Sequence, residues 1–242
     1  MRIPKALSVF FVFQLLIIFV VSAQSLDKKV TIYFENKIGI DPLVLGNPVK
    51  NINGEEMRIE RYKYYISHLS VNDMKGNTYI ASSQYYLIDE SDSASKIIKV
   101  NLPSGNIKSI HFLLGVDSIR NVSGVQTGAL DPLNGMFWTW NSGYIMAKLE
   151  GVSASANTPG NRFTYHIGGF KNGMNTVKEI ELALPNTSGQ LQEIHISADI
   201  NHWFKGNTIV KVAETPICHT PGALAVKIAE NYMTMFSINR VN

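Results

Sequence analysis

From Val30 onward, apolar residues recur at every second position in short runs. Val30, Ile32 and Phe34 do so within Val30–Glu35, Ile110, Phe112 and Leu114 within Ser109–Gly115, and Ile194, Ile196 and Ala198 further along. Ile180, Leu182 and Leu184 repeat the spacing before Pro185, and Ile97–Leu102 and Thr208–Val212 are two further short candidates. A period of two puts alternate side chains on one face of a strand. Turn formers separate the runs: Asn53-Gly54, Lys75-Gly76-Asn77, Ser104-Gly105-Asn106, Thr158-Pro159-Gly160 and Ser188-Gly189. Many short strands at this spacing predict an all-β fold, an antiparallel β-sandwich with a short C-terminal helix.

Three stretches break the alternation. Glu55–Leu69 fits two periods: Ile59, Tyr62, Ile66 and Leu69 suit a helix, while the tyrosine-rich Tyr62–Val71 suits a strand. Near the C-terminus, Thr220 suits an N-cap and Pro221 a first helical position. Leu224, Ile228, Tyr232 and Met235 then fall at helical spacing, which predicts an amphipathic helix over Pro221–Met235. At the N-terminus, Arg2 and Lys5 precede an apolar run from Ala6 to Val21, and Val21-Ser22-Ala23 offers small residues for cleavage. This is the layout of a secretory signal peptide over residues 1–23, with Gln24 opening the mature chain. The apolar run is short for a membrane span of about 20 residues. No cysteine follows the cleavage site to carry a lipid anchor. Residues 24–242 are enough for one domain.

Charge adds little. Two of the 22 basic residues and none of the 19 acidic ones lie in the export signal, so the mature chain is close to neutral. With no basic stripe, nucleic acid is not an expected partner. The single cysteine, Cys218, cannot form an internal disulfide, so stability rests on packing. Free cysteine more often packs as a small hydrophobe than reacts.

The densest chemistry lies in Gly128–Tyr144, GALDPLNGMFWTWNSGY. Asp131-Pro132 and Asn134-Gly135 are turn formers, and Met136, Trp138 and Trp140 follow at i, i+2 and i+4, on one face if the segment is extended. On composition alone these are core residues. Downstream, Phe163–Phe170 reads FTYHIGGF, with His166 beside two glycines. Met136, Met146, Met233 and Met235 could offer thioethers to a cuprous ion, although methionines more often fill gaps in a core. Cys218-His219 lacks the second cysteine of a zinc motif. A nucleophile elbow, a Gly-rich phosphate loop and an HExxH motif are all absent, so no enzyme is expected.

These blocks, with KYYIS at Lys63–Ser67, FLLGVD at Phe112–Asp117, DINHWF at Asp199–Phe204 and KIAENYMTMF at Lys227–Phe236, run in order over nearly the whole mature chain. Together they resemble the MbnP-like copper-binding domain family. The resemblance implies an exported β-sandwich, periplasmic or at the cell surface, that binds copper. It further implies that a tryptophan is oxidised to kynurenine, whose aryl amine joins histidines at the metal. A dihaem peroxidase-like partner is implied for that oxidation. The matching positions are Trp138 or Trp140, with His166 as the matching histidine and Met136 as a thioether beside them. No histidine sits immediately beside the tryptophan block, which is the main departure. His68, His111, His195, His202 and His219 have no family counterpart by this reading. The alternation in their strands turns His111 and His195 away from the core. The rival expectation is a surface interaction or glycan-binding β-sandwich that has lost the metal, supported by ten tyrosines and three tryptophans. Burial of the tryptophans separates the two.

Overall fold

The computed structural model describes residues 27–138, 143–171, 173–186 and 191–242. The export signal (residues 1–23) and Trp140 lie outside the described residues. In chain order the strands are β1 (Lys28–Ile38), β2 (Asp41–Pro42), β3 (Pro48–Lys50), β4 (Glu56–Asp73), β5 (Thr78–Ser82), β6 (Tyr86–Asp89), β7 (Ile97–Leu102) and β8 (Ile107–Leu114). A short helix, α1 (Ser118–Val122), precedes β9 (Phe137–Trp138), β10 (Gly143–Val152), β11 (Arg162–Gly168), β12 (Lys178–Ala183) and β13 (Glu193–Asp199). The chain closes with α2 (Asn201–Phe204), β14 (Ile217–Cys218), α3 (Ala223–Tyr232) and β15 (Phe236–Val241).

The first sheet runs β15-β13-β1-β2, with β7 also against β1. The second runs β12-β8-β4-β10-β11-β14, with β3, β5 and β6 against β4 and β9 against β10. Their inner faces share one core. Val30, Ile32 and Phe34 of β1 and Ile194, Ile196 and Ala198 of β13 meet Tyr62, Tyr64 and Ile66 of β4 and Phe163, Tyr165 and Ile167 of β11. Phe34 stands edge-on to Phe112 across the sandwich, with ring centroids 5.9 Å apart. The ambiguous Glu55–Leu69 stretch is strand: alternate burial of Tyr62, Tyr64 and Ile66 in the shared core overrides its helical spacing.

The chain forms the expected all-β sandwich with a short C-terminal helix, and most of its pairings are antiparallel; β1 with β13 and β11 with β14 are the parallel exceptions among the described residues. Neither pair is joined by a hairpin, so nothing local imposes the antiparallel direction. The C-terminal helix is shorter than Pro221–Met235: Gly222, not Thr220, stands at its cap, and after Tyr232 the chain turns to form β15 in the first sheet. Met235 instead enters the core, where its sulfur accepts a hydrogen bond from the Tyr62 hydroxyl at 3.3 Å. Thr208–Val212 is a pinned loop. The Asn231 side chain of α3 bonds both the N–H (2.9 Å) and the C=O (2.6 Å) of Thr208, and Glu55 accepts the Val212 N–H at 3.0 Å. Side chains thus take backbone groups that a neighbouring strand would have paired.

The outer face of the second sheet is partly roofed. Between β8 and β10 the chain passes over it through α1, two single turns and β9. A second apolar cluster forms beneath, from Tyr65, Val116, Leu130, Met136, Trp138, Tyr144, Ile145 and Met146. The Tyr65 hydroxyl donates to the Ala129 carbonyl at 3.0 Å and that of Tyr144 to the Leu130 carbonyl at 2.9 Å, which ties the roof down.

Candidate metal centre

On β11, Phe163, Tyr165 and Ile167 point into the sandwich, so Thr164, His166 and Gly168 point out toward the roofed face. Cross-strand register lays out the rest. Lys148 of β10 stands between His166 and Lys63 of β4, and Glu150 between Thr164 and Arg61. Directly opposed side chains on one face lie about 5 Å apart, close enough to bond.

Glu150 is the hub. Its Oε1 lies 2.6 Å from His166 Nε2, its Oε2 accepts Arg61 Nη1 at 2.6 Å, and Lys148 Nζ is 3.7 Å away. The His166 hydrogen bond, then those of Arg61 and the charge of Lys148, hold its carboxyl far below the usual range, at about 2, against the opposing effect of burial. Burial lowers the pKa of the Lys148 ammonium. Lys148 also donates to the Gly135 carbonyl, and Lys63 Nζ lies 3.5 Å from the Asn134 carbonyl. Both lysines therefore link the charged patch to the loop that carries the tryptophans.

The parallel pairing of β14 with β11 sets Ile217 beside Thr164 and Cys218 beside Tyr165. The next residue, His219, comes to lie against His166, with ring centroids 4.7 Å apart and planes 25° apart. Its Nε2 is bonded to the Thr164 hydroxyl. Burial and the neighbouring His166 lower its pKa, which favours the neutral imidazole a metal needs. Cys218 faces the other way. It is buried, and burial pushes its thiol up to about 11, so it is an inert core residue.

Of the tryptophan block, Met136 and Trp138 are both buried in the roof cluster, while Phe137 between them is half-buried against the Tyr144 ring. A Cβ placed on Gly168 would lie 2.8 Å from Trp138 Cζ3 and 2.6 Å from the Tyr144 carbonyl oxygen. Only glycine admits the indole there. Trp138 therefore covers the outer face two residues along β11 from His166, a step of about 6.6 Å. Met146 is engaged in packing, its sulfur accepting the Val116 N–H at 3.2 Å. Met235 is in the sandwich core and Met233 packs against that core, neither in the roof cluster.

Sequence reasoning missed Glu150 and His219. Glu150 follows Lys148 at a spacing of two, which in a strand marks a shared face. His219 carried only the weak signal of the Cys218-His219 pair, because only the parallel β14–β11 pairing puts it beside His166. Among the described residues, no three His, Cys, Asp or Glu side chains are grouped as metal ligands. Among the described residues, each ring of the histidine pair is bonded through Nε2, and Nδ1 is the nitrogen left for an ion. Two imidazoles suit a soft or borderline ion that accepts few ligands, and a third donor has to be of another type. An open cavity of about 610 Å³ lies elsewhere, on the first sheet, lined by Tyr33, Glu35, Lys37, Glu90 and Arg240 among others. It is a broad charged depression away from the histidine pair.

The family model described as MbnP matches residues 27–220, which includes every residue of this site. Among solved structures, MbnP from Methylosinus trichosporium is similar, with a TM-score of 0.56 and 14% identity over 88% of this chain and 98% of that one. At that identity the likeness establishes the fold. No curated protein matches the sequence.

Proposed function

Because the chain belongs to the MbnP family, we propose that it is an exported copper-binding protein that holds or relays the ion at the His166–His219 pair, and is not an enzyme. The observation that carries this reading is the histidine pair itself. Two stacked imidazoles, each anchored through Nε2, stand on the sheet face that Trp138 covers. A ligating imidazole bonded through its other nitrogen to a carboxylate is a recurrent arrangement at protein metal sites. Parallel rings do not aim both in-plane lone pairs at one point, so binding a shared ion requires one ring to turn. His219 is the candidate, since a threonine hydroxyl is a weaker anchor than the carboxylate on His166.

Trp138 or Trp140, oxidised to kynurenine by a dihaem peroxidase-like partner, would add an aryl amine as the third donor. Met136, buried in the same cluster as Trp138, is a reserve thioether. Export to the periplasm or cell surface follows from the N-terminal signal, and no helix among the described residues is long and apolar enough to cross a membrane. An exposed aromatic platform, which the interaction or glycan-binding reading needs, is not available from Trp138, which is buried.

The test is copper(I) affinity by competition with a chromogenic chelator, on His166→Ala and His219→Ala, beside intact mass of protein from its native host. Loss of affinity in both variants with melting temperature nearly kept is expected, together with the mass change of a tryptophan-to-kynurenine conversion. Unchanged affinity in both variants would overturn the reading.

A further inference from the structure

We propose that Glu150 is a positioning residue that sets the tautomer of His166, keeping the proton on Nε2 and leaving the Nδ1 lone pair for an ion. The inference rests on the copper reading for its purpose but not for its geometry. An ionised carboxylate has no proton to give, so a 2.6 Å contact between Oε1 and Nε2 is a hydrogen bond only if Nε2 is the donor. Glu150 is kept in that role by its other partners. Oε2 is taken by Arg61 at 2.6 Å, and Lys148 lies 3.7 Å from Oε1. The carboxylate is only about 10% exposed, and both oxygens are spoken for, so Glu150 is not itself a free ligand. His219 differs: a threonine hydroxyl both donates and accepts, so its bond to Thr164 leaves that ring's tautomer open. One ring of the pair is thus pre-set and the other adaptable.

Lys148, beside Glu150, also donates to the Gly135 carbonyl, which places the chain entering β9 next to the same charged patch.

The test reads the metal-free protein. Long-range ¹H–¹⁵N correlation of the histidine rings, at mildly alkaline pH, is expected to show His166 with Nε2 protonated and Nδ1 bare. Glu150→Gln keeps a carbonyl oxygen that accepts from Nε2–H, so it should retain the tautomer and most copper(I) affinity. Glu150→Leu should lose the tautomer preference and about 10–100-fold in affinity, the usual cost of an outer partner. If Glu150 were a ligand instead, Glu150→Gln would lose affinity as Glu150→Leu does, and the proposal would be overturned. A wild-type ring protonated on Nδ1, or a tautomer unmoved in Glu150→Leu, would also overturn it. If the tautomer behaves as expected but His166→Ala binds copper normally, the copper reading fails and this inference stands.

Discussion

Two histidines in this protein bond a glutamate at 2.6 Å, and their remaining ring nitrogens meet opposite surroundings. His195, on the outer face of the first sheet, meets Glu35 through Nδ1 at 2.6 Å. Its Nε2 is 3.2 Å from Arg240 and 3.4 Å from Glu193, and its ring stacks on Tyr33 at 4.5 Å. Both nitrogens are engaged and the ring is buried, although the strand alternation turns it away from the core. His166, on the outer face of the second sheet, meets Glu150 through Nε2 and a second imidazole through its ring face, which leaves Nδ1. Residue type and even the first partner are the same. What separates a structural histidine from a candidate ligand here is how many ring nitrogens the neighbouring strands consume.

The largest effect expected from this contrast is on metal binding. His166→Ala should weaken copper(I) binding by more than roughly 100-fold, beyond the range of an outer-shell change, while His195→Ala should leave it unaltered. Competition titration of the two variants side by side decides this. Equal losses would mean that the engaged nitrogens of His195 do not protect it from a metal role.

Next is the roof. Gly168→Ala pushes a methyl group into the Tyr144 carbonyl and the Trp138 ring, both closer than 3 Å. Overpacking of this kind costs about 1–3 kcal/mol, and since one contact is backbone the upper half of that range is expected from thermal unfolding. A neutral Gly168→Ala would show that Trp138 does not rest on β11.

Stability should rank the two histidines in reverse. His195→Ala removes a stacked ring and strands Glu35 and Glu193 with fewer partners, a loss of about 2 kcal/mol. His166→Ala leaves Glu150 paired with Arg61 and Lys148 and should cost about half of that. Chemical denaturation of both variants tests the order.

The remaining effect is in acid. Glu150 has a folded pKa depressed to about 2 from 4.5. Its contribution to stability is therefore complete above about pH 4.5 and is lost as pH falls toward 2. For Glu35, burial opposes ionisation but the His195 and Asn239 hydrogen bonds outweigh it, giving a shift in the same direction. Glu150→Gln should flatten the acid limb of the stability profile in that window, and an unchanged limb would place the acid sensitivity at Glu35 or elsewhere.

Much of the architecture follows from local pattern. Strands β1, β7, β8, β12 and β13 appear in the alternation of single segments, because one buried face imposes a period of two on any strand that borders it. The buried character of Trp138 and Met136 and the outward turn of His166 follow from the same alternation, and the order of motifs points to the family. What local pattern cannot carry is the relation between segments. Glu55–Leu69 suited helix and strand equally until the core claimed Tyr62, Tyr64 and Ile66 together. The helix near the C-terminus ended early because Met235 and Phe236 found better burial in the sandwich than on a helix face. The site depends most on such relations. Glu150 becomes the partner of His166 only through the β10–β11 register, and His219 reaches that ring only because β14 lies parallel to β11. Strand pairing joins positions 16 and more than 50 residues apart, and hydrogen bonds between backbones of any sequence leave no mark in the residues that they bring together.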